Sequence, residues 1–441
     1  GLSGFGRIGN EACKRLSQRG YLVQMACINY TGWPHNLPVN WIWPLGGQDI
    51  WQGLVAASNT FQPDIIISCQ DFPYHQTIWM ACKIDFSRVK WIWITPIDGT
   101  PVHPDWLKMC DWADGGMVIS RFGVEALRQE GKRITLCHPG VDKAEFYPAT
   151  DEERTALRIK TGWAADDWIV GVMCMNQGRK AISQMIAAFH EFAKDKPNAK
   201  LLLDMDKVSP AGWDIPNLLK QMRWTEAEQA RVKYREDLFK ADMAAFAPLR
   251  NRYAMLDLHM VISHREGFGL PLLESMACGI PAMALDWCSG TEIVGGGRGF
   301  LVKRTDYMEH GTWGGAKDAF PDMDDLILKL NLAYTQPEKT KAIARTGYEW
   351  AITNTWDVTT DQVETMMQAA LQRPRKDRPS HEPTSNAIPA ILSDTYGRNG
   401  ERPAPAAPVS HHSELPQPGE PDTVPEIAGG DGDRVREGGP T

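Results

Sequence analysis

EGFGLPLLESMACGIP, residues 266–281, is the stretch from which the rest of the chain is read. The apolar run before it, residues 258–262 (LHMVI), has the length and composition of a buried strand in a parallel sheet. Ser263, His264 and Arg265 lead out of that strand. Gly267 and Gly269 open a loop whose backbone N–H groups can come close to a ligand. Pro271 suits the first turn of a helix, where its missing N–H costs nothing. That helix carries Leu272, Leu273 and Met276, and Gly279 followed by Pro281 stops it. A glycine-lined loop at a helix N-terminus favours anions. Two carboxylates, Glu266 and Glu274, flank it eight positions apart.

A carboxylate beside an anion site has a use if the ligand also carries hydroxyls, because ionised Glu only accepts hydrogen bonds and can grip a ribose or hexose by its OH groups. N–H groups for phosphate and Glu side chains for sugar describe a nucleotide-sugar. The competing reading is a short amphipathic helix with two solvated Glu. The glycines, Pro271 and the preceding strand weigh against it.

With these residues in place, the stretch resembles the E-x7-E signature of retaining glycosyltransferases of the GT-B fold, specifically the large family 4. Asp257 and Ser263 also stand where that family has Asp and Ser. The resemblance implies an α/β chain with two Rossmann-like β/α/β domains facing a central cleft. Residues 1–150 would bind the acceptor, with a first strand missing from this sequence. Residues 151–335 would bind the nucleotide-sugar, residues 336–372 would be helices crossing back to the first domain, and 373–441 would be a disordered tail.

Composition agrees with a globular protein: 441 residues, 43% hydrophobic and 23% charged, are enough for two or three domains. A net charge of -8 argues against a nucleic-acid binder, which would show a basic face. No apolar run reaches the ~18 residues that span a bilayer, so the expected location is cytoplasmic, with a peripheral membrane contact left open. The nine Cys are odd in number and form no C-x-x-C pair, which reads as reduced thiols rather than disulfides or zinc. The chain begins at Gly1 with no signal-like segment.

Residues 1–9 (GLSGFGRIG) contain a literal G-x-G-x-x-G at Gly4, Gly6 and Gly9. A dinucleotide site also needs a preceding strand and an acid at the end of the next one. Neither is present, since the strand at 21–28 runs into Asn29 and Tyr30. The resemblance implies instead a glycine-rich loop, with Gly4 and Gly6 under the donor phosphates, entering a helix over 10–19. Strand and helix patterns then alternate: strands at 64–69, 90–96, 116–120 and 134–138, helices at 74–83 and 121–130. Ligands of such sheets bind beyond the carboxyl ends of the strands. Polar candidates there are Asp71 after the first of these strands, Asp98 and His103 in PIDGTPVHPDW, and Ser120. The family often has a His near the reacting sugar; this loop offers Asp98-Gly99, with His103 nearby. Asp-Gly also favours tight turns, and both readings of Asp98 stay open.

HPGVDKAEFYP (138–148) resembles the family's junction between domains. A helix at 151–160 and a strand at 168–173 follow, then Asn176-Gln177-Gly178-Arg179-Lys180. Two cations at a strand-to-helix turn read as a diphosphate clamp, Arg bidentate and Lys as a point charge. The family places an Arg five residues before that Lys; here position 175 is Met, and Arg179 stands in. The strand at 200–204 ends in Asp204-Met205-Asp206. A D-x-D can hold a divalent metal, but a turn is the preferred reading here, because Arg179 and Lys180 already neutralise phosphate. Residues 216–240 read as helical, and 323–334, 339–353 and 356–371 as further helices. Thr291 and Glu292, after the strand at 282–286, lie in the family near the base and sugar. From about 373 onward, twelve of the thirty Pro accompany many Gly, Ser and Glu, a composition that cannot bury enough surface to fold.

The expected activity is transfer of a sugar from a nucleotide-diphosphate-sugar, a co-substrate rather than a cofactor, to an acceptor hydroxyl on a glycan, lipid or small molecule. Arg179, Lys180 and the N–H groups of Gly267, Phe268, Gly269 and Leu270 would stabilise the leaving diphosphate without a metal. Glu274 would hold ribose, Glu266 sugar hydroxyls near the anomeric carbon, and Asp98 would serve at the reacting centre. His103, Asp71 and Ser120 are the acceptor-side candidates. No nucleic acid or obligate protein partner is implied. The alternatives are another GT-B enzyme (a sugar phosphorylase or nucleotide-sugar epimerase) or a non-catalytic nucleotide-sugar binder.

Overall fold

Short apolar runs separated by amphipathic stretches build two larger parallel sheets flanked by helices, beside a two-stranded parallel pair. The computed structural model describes residues 4–28, 37–39, 41–45, 50–82, 84–310 and 315–374. The expected tail beyond 374, and Asn29 and Tyr30, lie outside the described residues.

The first half contributes β1 (Gln24–Ile28), β2 (Trp41–Leu45), β3 (Ile65–Cys69), β4 (Lys90–Thr95), β5 (Gly115–Val118) and β6 (Thr135–Leu136). β3 to β6 form a parallel sheet in chain order, and β1 pairs with β2. β4 is buried along its whole length, as expected of a strand covered on both faces. Trp91 and Trp93 are fully buried there; Trp79 stacks on Trp91 at 5.5 Å. Gly116 on the neighbouring β5 makes room for the indole, since a Cβ there would fall 2.3 Å from Trp93.

The second half holds β7 (Trp168–Met173), β8 (Ala199–Asp204), β9 (Val232–Tyr234), β10 (Leu258–Val261), β11 (Ala282–Leu285) and β12 (Phe300–Val302). Their order is β12-β11-β10-β7-β8-β9, all parallel, the doubly wound arrangement of dinucleotide-binding sheets. An antiparallel hairpin, β13 (Arg304–His310) and β14 (Ala316–Pro321), follows. The helix Trp356–Gln372 returns to the first half. Its Asp357 and Glu364 accept from Arg15 (3.0 Å) and Arg19 (2.6 Å) of the helix Gly4–Gln18.

Two expectations need correction, and one element is new. Gly4, Gly6 and Gly9 are not in a loop but inside the helix Gly4–Gln18, whose Ile8 and Leu16 are buried eight residues apart on one face. Residues 216–240 are not one helical stretch: two short helices are followed by β9 and the helix Arg235–Phe246. β9 buries Val232 and Tyr234 in alternation, and three residues are too short a pattern to stand out between charged helical stretches. The hairpin β13–β14 was not anticipated at all. All nine cysteines are unpaired and buried or half-buried. Among the described residues, no helix is long and apolar enough to cross a membrane.

Candidate active site

In a doubly wound sheet the loops at the point where strand order reverses leave a crevice for ligand. Here that point lies between β7 and β10. The chain leaves β7 through residues 174–177 and makes a tight turn, Gly178–Lys180, before the helix Ile182–Ala193. It leaves β10 through Ser263, His264 and Arg265 into the glycine loop. Gly269 has φ +98°, open to glycine at little cost, and precedes the helix Leu270–Ala277 with Pro271 in its first turn. Gly267 lies against Pro96 of the first half; a Cβ there would come within 2.5 Å of the Pro96 side chain. The two loops are tied together, His264 N–H donating to Arg179 O at 2.8 Å.

Lys180 and Glu266 form an ion pair across this crevice. Both are largely buried, with side-chain exposures of 9% and 14%. Ser263 Oγ donates to the same Glu266 oxygen at 2.9 Å, and Ser289 Oγ to the Glu266 carbonyl at 2.8 Å. Arg179 lies 3.8 Å from that oxygen and donates through Nη1 to Arg265 O at 2.9 Å. Burial favours the neutral acid at Glu266, but Lys180 and Arg179 outweigh it and hold the carboxyl below its usual range. Burial likewise pushes the Arg179 guanidinium down, and Glu266, Asp98 and Asp71 more than compensate. Asp71 is pushed up to about 7, by burial first and then by Asp98, with Arg179 opposing. Arg179 thus lies 3.8 Å from one carboxylate of its own half and feels the charge of two acids of the other. Cys288 Sγ donates to Asp98 O at 3.0 Å, which fixes the Asp98 loop against the second half.

Several predicted residues are engaged elsewhere. Glu274, 4% exposed, pairs with Arg7 and accepts from Tyr253 Oη at 2.9 Å; it shares no partner with Glu266. Gly4 remains close by, with Leu270 4.0 Å from where its Cβ would be. Phe268 is buried against the edge of His138, 4.6 Å between rings. Thr291 Oγ1 donates to Asp286 at 2.7 Å. Glu292 accepts from the backbone N–H groups of Arg121 (2.7 Å) and Phe122 (3.4 Å) and meets His138 Nε2 at 2.9 Å. It therefore serves the start of a first-half helix, where exposed N–H groups demand acceptors. For the same reason Ser120 and His103 are helix caps, accepting from Gly123 N–H and Asp105 N–H, both at 3.1 Å. Met175 is 62% exposed. Asp204 is buried and takes Arg235 (2.6 Å) and Arg252 (2.6 Å), so the D-x-D carboxylate balances cations and is not a free turn residue. Among the described residues, no three His, Cys, Asp or Glu gather as a metal site. Arg7, Tyr253 and Asp318 went unnoticed in the sequence. Arg7 stands 267 positions from its partner Glu274, and no local pattern marks such a pairing.

Comparison with known proteins adds the following. Residues 153–310 match the family model described as Glycosyl transferases group 1. The D-inositol 3-phosphate glycosyltransferase of Segniliparus rotundus is 26% identical over 241 residues, 55% of this chain and 48% of that protein. A GDP-mannose-dependent monoacylated alpha-(1-6)-phosphatidylinositol monomannoside mannosyltransferase of Corynebacterium glutamicum is 29% identical over 172 residues, 38% of this chain and 42% of that protein. The chain spans about half, or less, of the length of these curated relatives. Among solved structures, sucrose-phosphate synthase from Thermosynechococcus elongatus superposes with a TM-score of 0.65 at 18% identity, covering 83% of this chain and 93% of that one. Anabaena HepE in complex with UDP and glucose gives 0.62 at 17% identity, covering 84% and 97%. The chain has the GT-B fold, and its group 1 match lies over the half that carries Arg179, Lys180, Glu266 and Glu274.

Proposed function

We propose that this chain transfers a glycosyl group from a nucleoside-diphosphate-sugar to an acceptor hydroxyl with retention of configuration. The observation that carries the reading is the cluster of Lys180, Arg179 and Glu266 where strand order reverses, opposite Asp71 and Asp98 of the other half. The bond from the anomeric carbon to the diphosphate breaks and a bond to the acceptor oxygen forms on the same face. The acceptor proton goes to a diphosphate oxygen, and the nucleoside diphosphate leaves. Negative charge grows on the leaving group, so fixed positive charge and N–H dipoles there lower the barrier most. Arg179, Lys180 and the backbone N–H groups of residues 267–270 take that role. Glu266 holds sugar hydroxyls, with Lys180 and Ser263 setting its orientation. Asp71 and Asp98 line the acceptor side. Glu274 takes the ribose hydroxyls, which requires Arg7 to let go of Glu274 while keeping its bond to Glu145 at 2.9 Å.

The relatives named above point to uridine or guanosine as the donor base and to a polyol or lipid-borne sugar as acceptor. The test is a panel of UDP-, GDP- and ADP-sugars labelled in the sugar, incubated with polyol, polyol phosphate and glycolipid acceptors, with product anomers read by NMR. Transfer with retention is expected from one donor. Thermal stabilisation by a donor without any transfer or release would instead identify a binding protein.

A further inference from the structure

The hairpin β13–β14 stands outside the parallel sheet, yet residues 316–319 of β14 touch both walls of the crevice. On the donor side, Ala319 N–H donates to His264 O at 3.1 Å and His264 Nδ1 donates to Ala319 O at 2.8 Å. Asp318 forms an ion pair with Arg265, the residue next to Glu266; the two side chains are 9% and 4% exposed. On the acceptor side, Lys317 N–H donates to Thr100 O at 3.0 Å. Ala316 Cβ lies 3.3 Å, and Arg265 Cδ 3.1 Å, from where a Cβ on Gly99 would be, one residue from Asp98. Arg265 is the point where these contacts meet: its carbonyl holds Arg179 Nη1 at 2.9 Å.

We propose that Asp318 is a positioning residue: by holding the buried Arg265 guanidinium it sets the Arg265 carbonyl that orients Arg179, while the adjoining Lys317–Thr100 bond fixes the Asp98 loop opposite. The inference rests on the glycosyl-transfer reading above, with Arg179 as a phosphate-binding group. Removing one partner of a buried ion pair leaves the other charge uncompensated, and a carbonyl acceptor has to be well aligned to orient a donor. The hairpin would thus be the strut that keeps donor and acceptor walls in register.

The test uses the full chain and titrates UDP and GDP by calorimetry in Asp318→Asn, Asp318→Glu, Arg179→Ala, Lys180→Ala and the double variant Asp318→Asn/Arg179→Ala. Asp318→Asn, which removes one charge of this buried ion pair, is expected to weaken nucleoside diphosphate binding about tenfold. Asp318→Glu, which keeps the charge, should stay within about threefold of wild type. Because Asp318 acts through Arg179, the double variant should bind no more weakly than Arg179→Ala alone. Additive losses, or wild-type binding in Asp318→Asn, would overturn the proposal. If Lys180→Ala also binds like wild type, the reading of the site itself has failed. Should Asp318→Asn not fold, Lys317→Pro carries the test, since the N–H it removes faces Thr100. A raised acceptor KM with unchanged diphosphate affinity is expected, and an unchanged acceptor KM would refute the strut.

Discussion

Replacing Lys180 by Met separates the structural from the chemical role of the ion pair in the crevice. Lys180 is 8% exposed and its ammonium is bonded to Glu266. Removing one partner of a buried pair commonly costs about 3–5 kcal/mol, because the other charge is left unpaired. Glu266 retains the Ser263 hydroxyl at 2.9 Å and Arg179 at 3.8 Å, and its side chain is itself 14% exposed. The expected loss is therefore smaller, about 1–3 kcal/mol, a drop of a few degrees in Tm for a chain of this size. Turnover should fall much further. Loss of one preorganised charge at a leaving group typically costs about 10²–10³ in kcat. Adding Glu266→Gln removes the stranded carboxylate, so the double variant should regain most of the stability of Lys180→Met while its turnover stays low. Thermal melts and a labelled-donor transfer assay on both variants check this. Recovery of turnover alongside stability, or near-wild-type kcat in Lys180→Met, would refute the assignment of Lys180 to the leaving group.

Asp71 predicts a pH dependence. Burial and Asp98 push its folded acid up to about 7 from an ordinary 3.8, so between those values the folded chain holds a proton that the unfolded chain has lost. Stability then falls as pH rises through this window, by up to about 1.4 kcal/mol per pH unit. Asp71→Asn should gain on wild type in melts at pH 7.5 compared with pH 5, and an equal gap at both values would remove the effect. Gly267→Ala places a methyl against Pro96, a clash that overpacking estimates put at about 1–3 kcal/mol; a measured loss of both Tm and transfer is expected, and unchanged transfer would show that the loop need not approach the first half. Glu292→Ala removes the acceptor that caps the helix Arg121–Gln129 and faces His138. Stability should fall by about 1–2 kcal/mol with donor KM unchanged, whereas a raised donor KM would return Glu292 to the nucleotide-sugar site.

Much of the architecture is written locally. β7 falls where its apolar run puts it, and the charged stretch 151–160 is a helix as expected, its start closed by a Thr150–Glu153 capping box. Gly269 and Pro271 announce a loop turning into a helix because each bears on the conformation of its own backbone. Lys180 and Glu266 could be singled out one at a time, since each stands just beyond an apolar strand.

What the residues could not declare is which groups face each other. Ser120, His103, Glu292 and Asp71 all follow strands and all are polar, yet the first three end up serving helix termini while the charge of Asp71 acts on Arg179. A polar side chain looks the same in sequence whether its partner is a backbone N–H or a ligand. Glu274 is turned toward Arg7, and Asp318 toward Arg265, by packing between segments far apart in the chain. Backbone preferences act over a few residues and can be read along the chain; charge pairing and burial depend on distance in space, which only the folded chain sets.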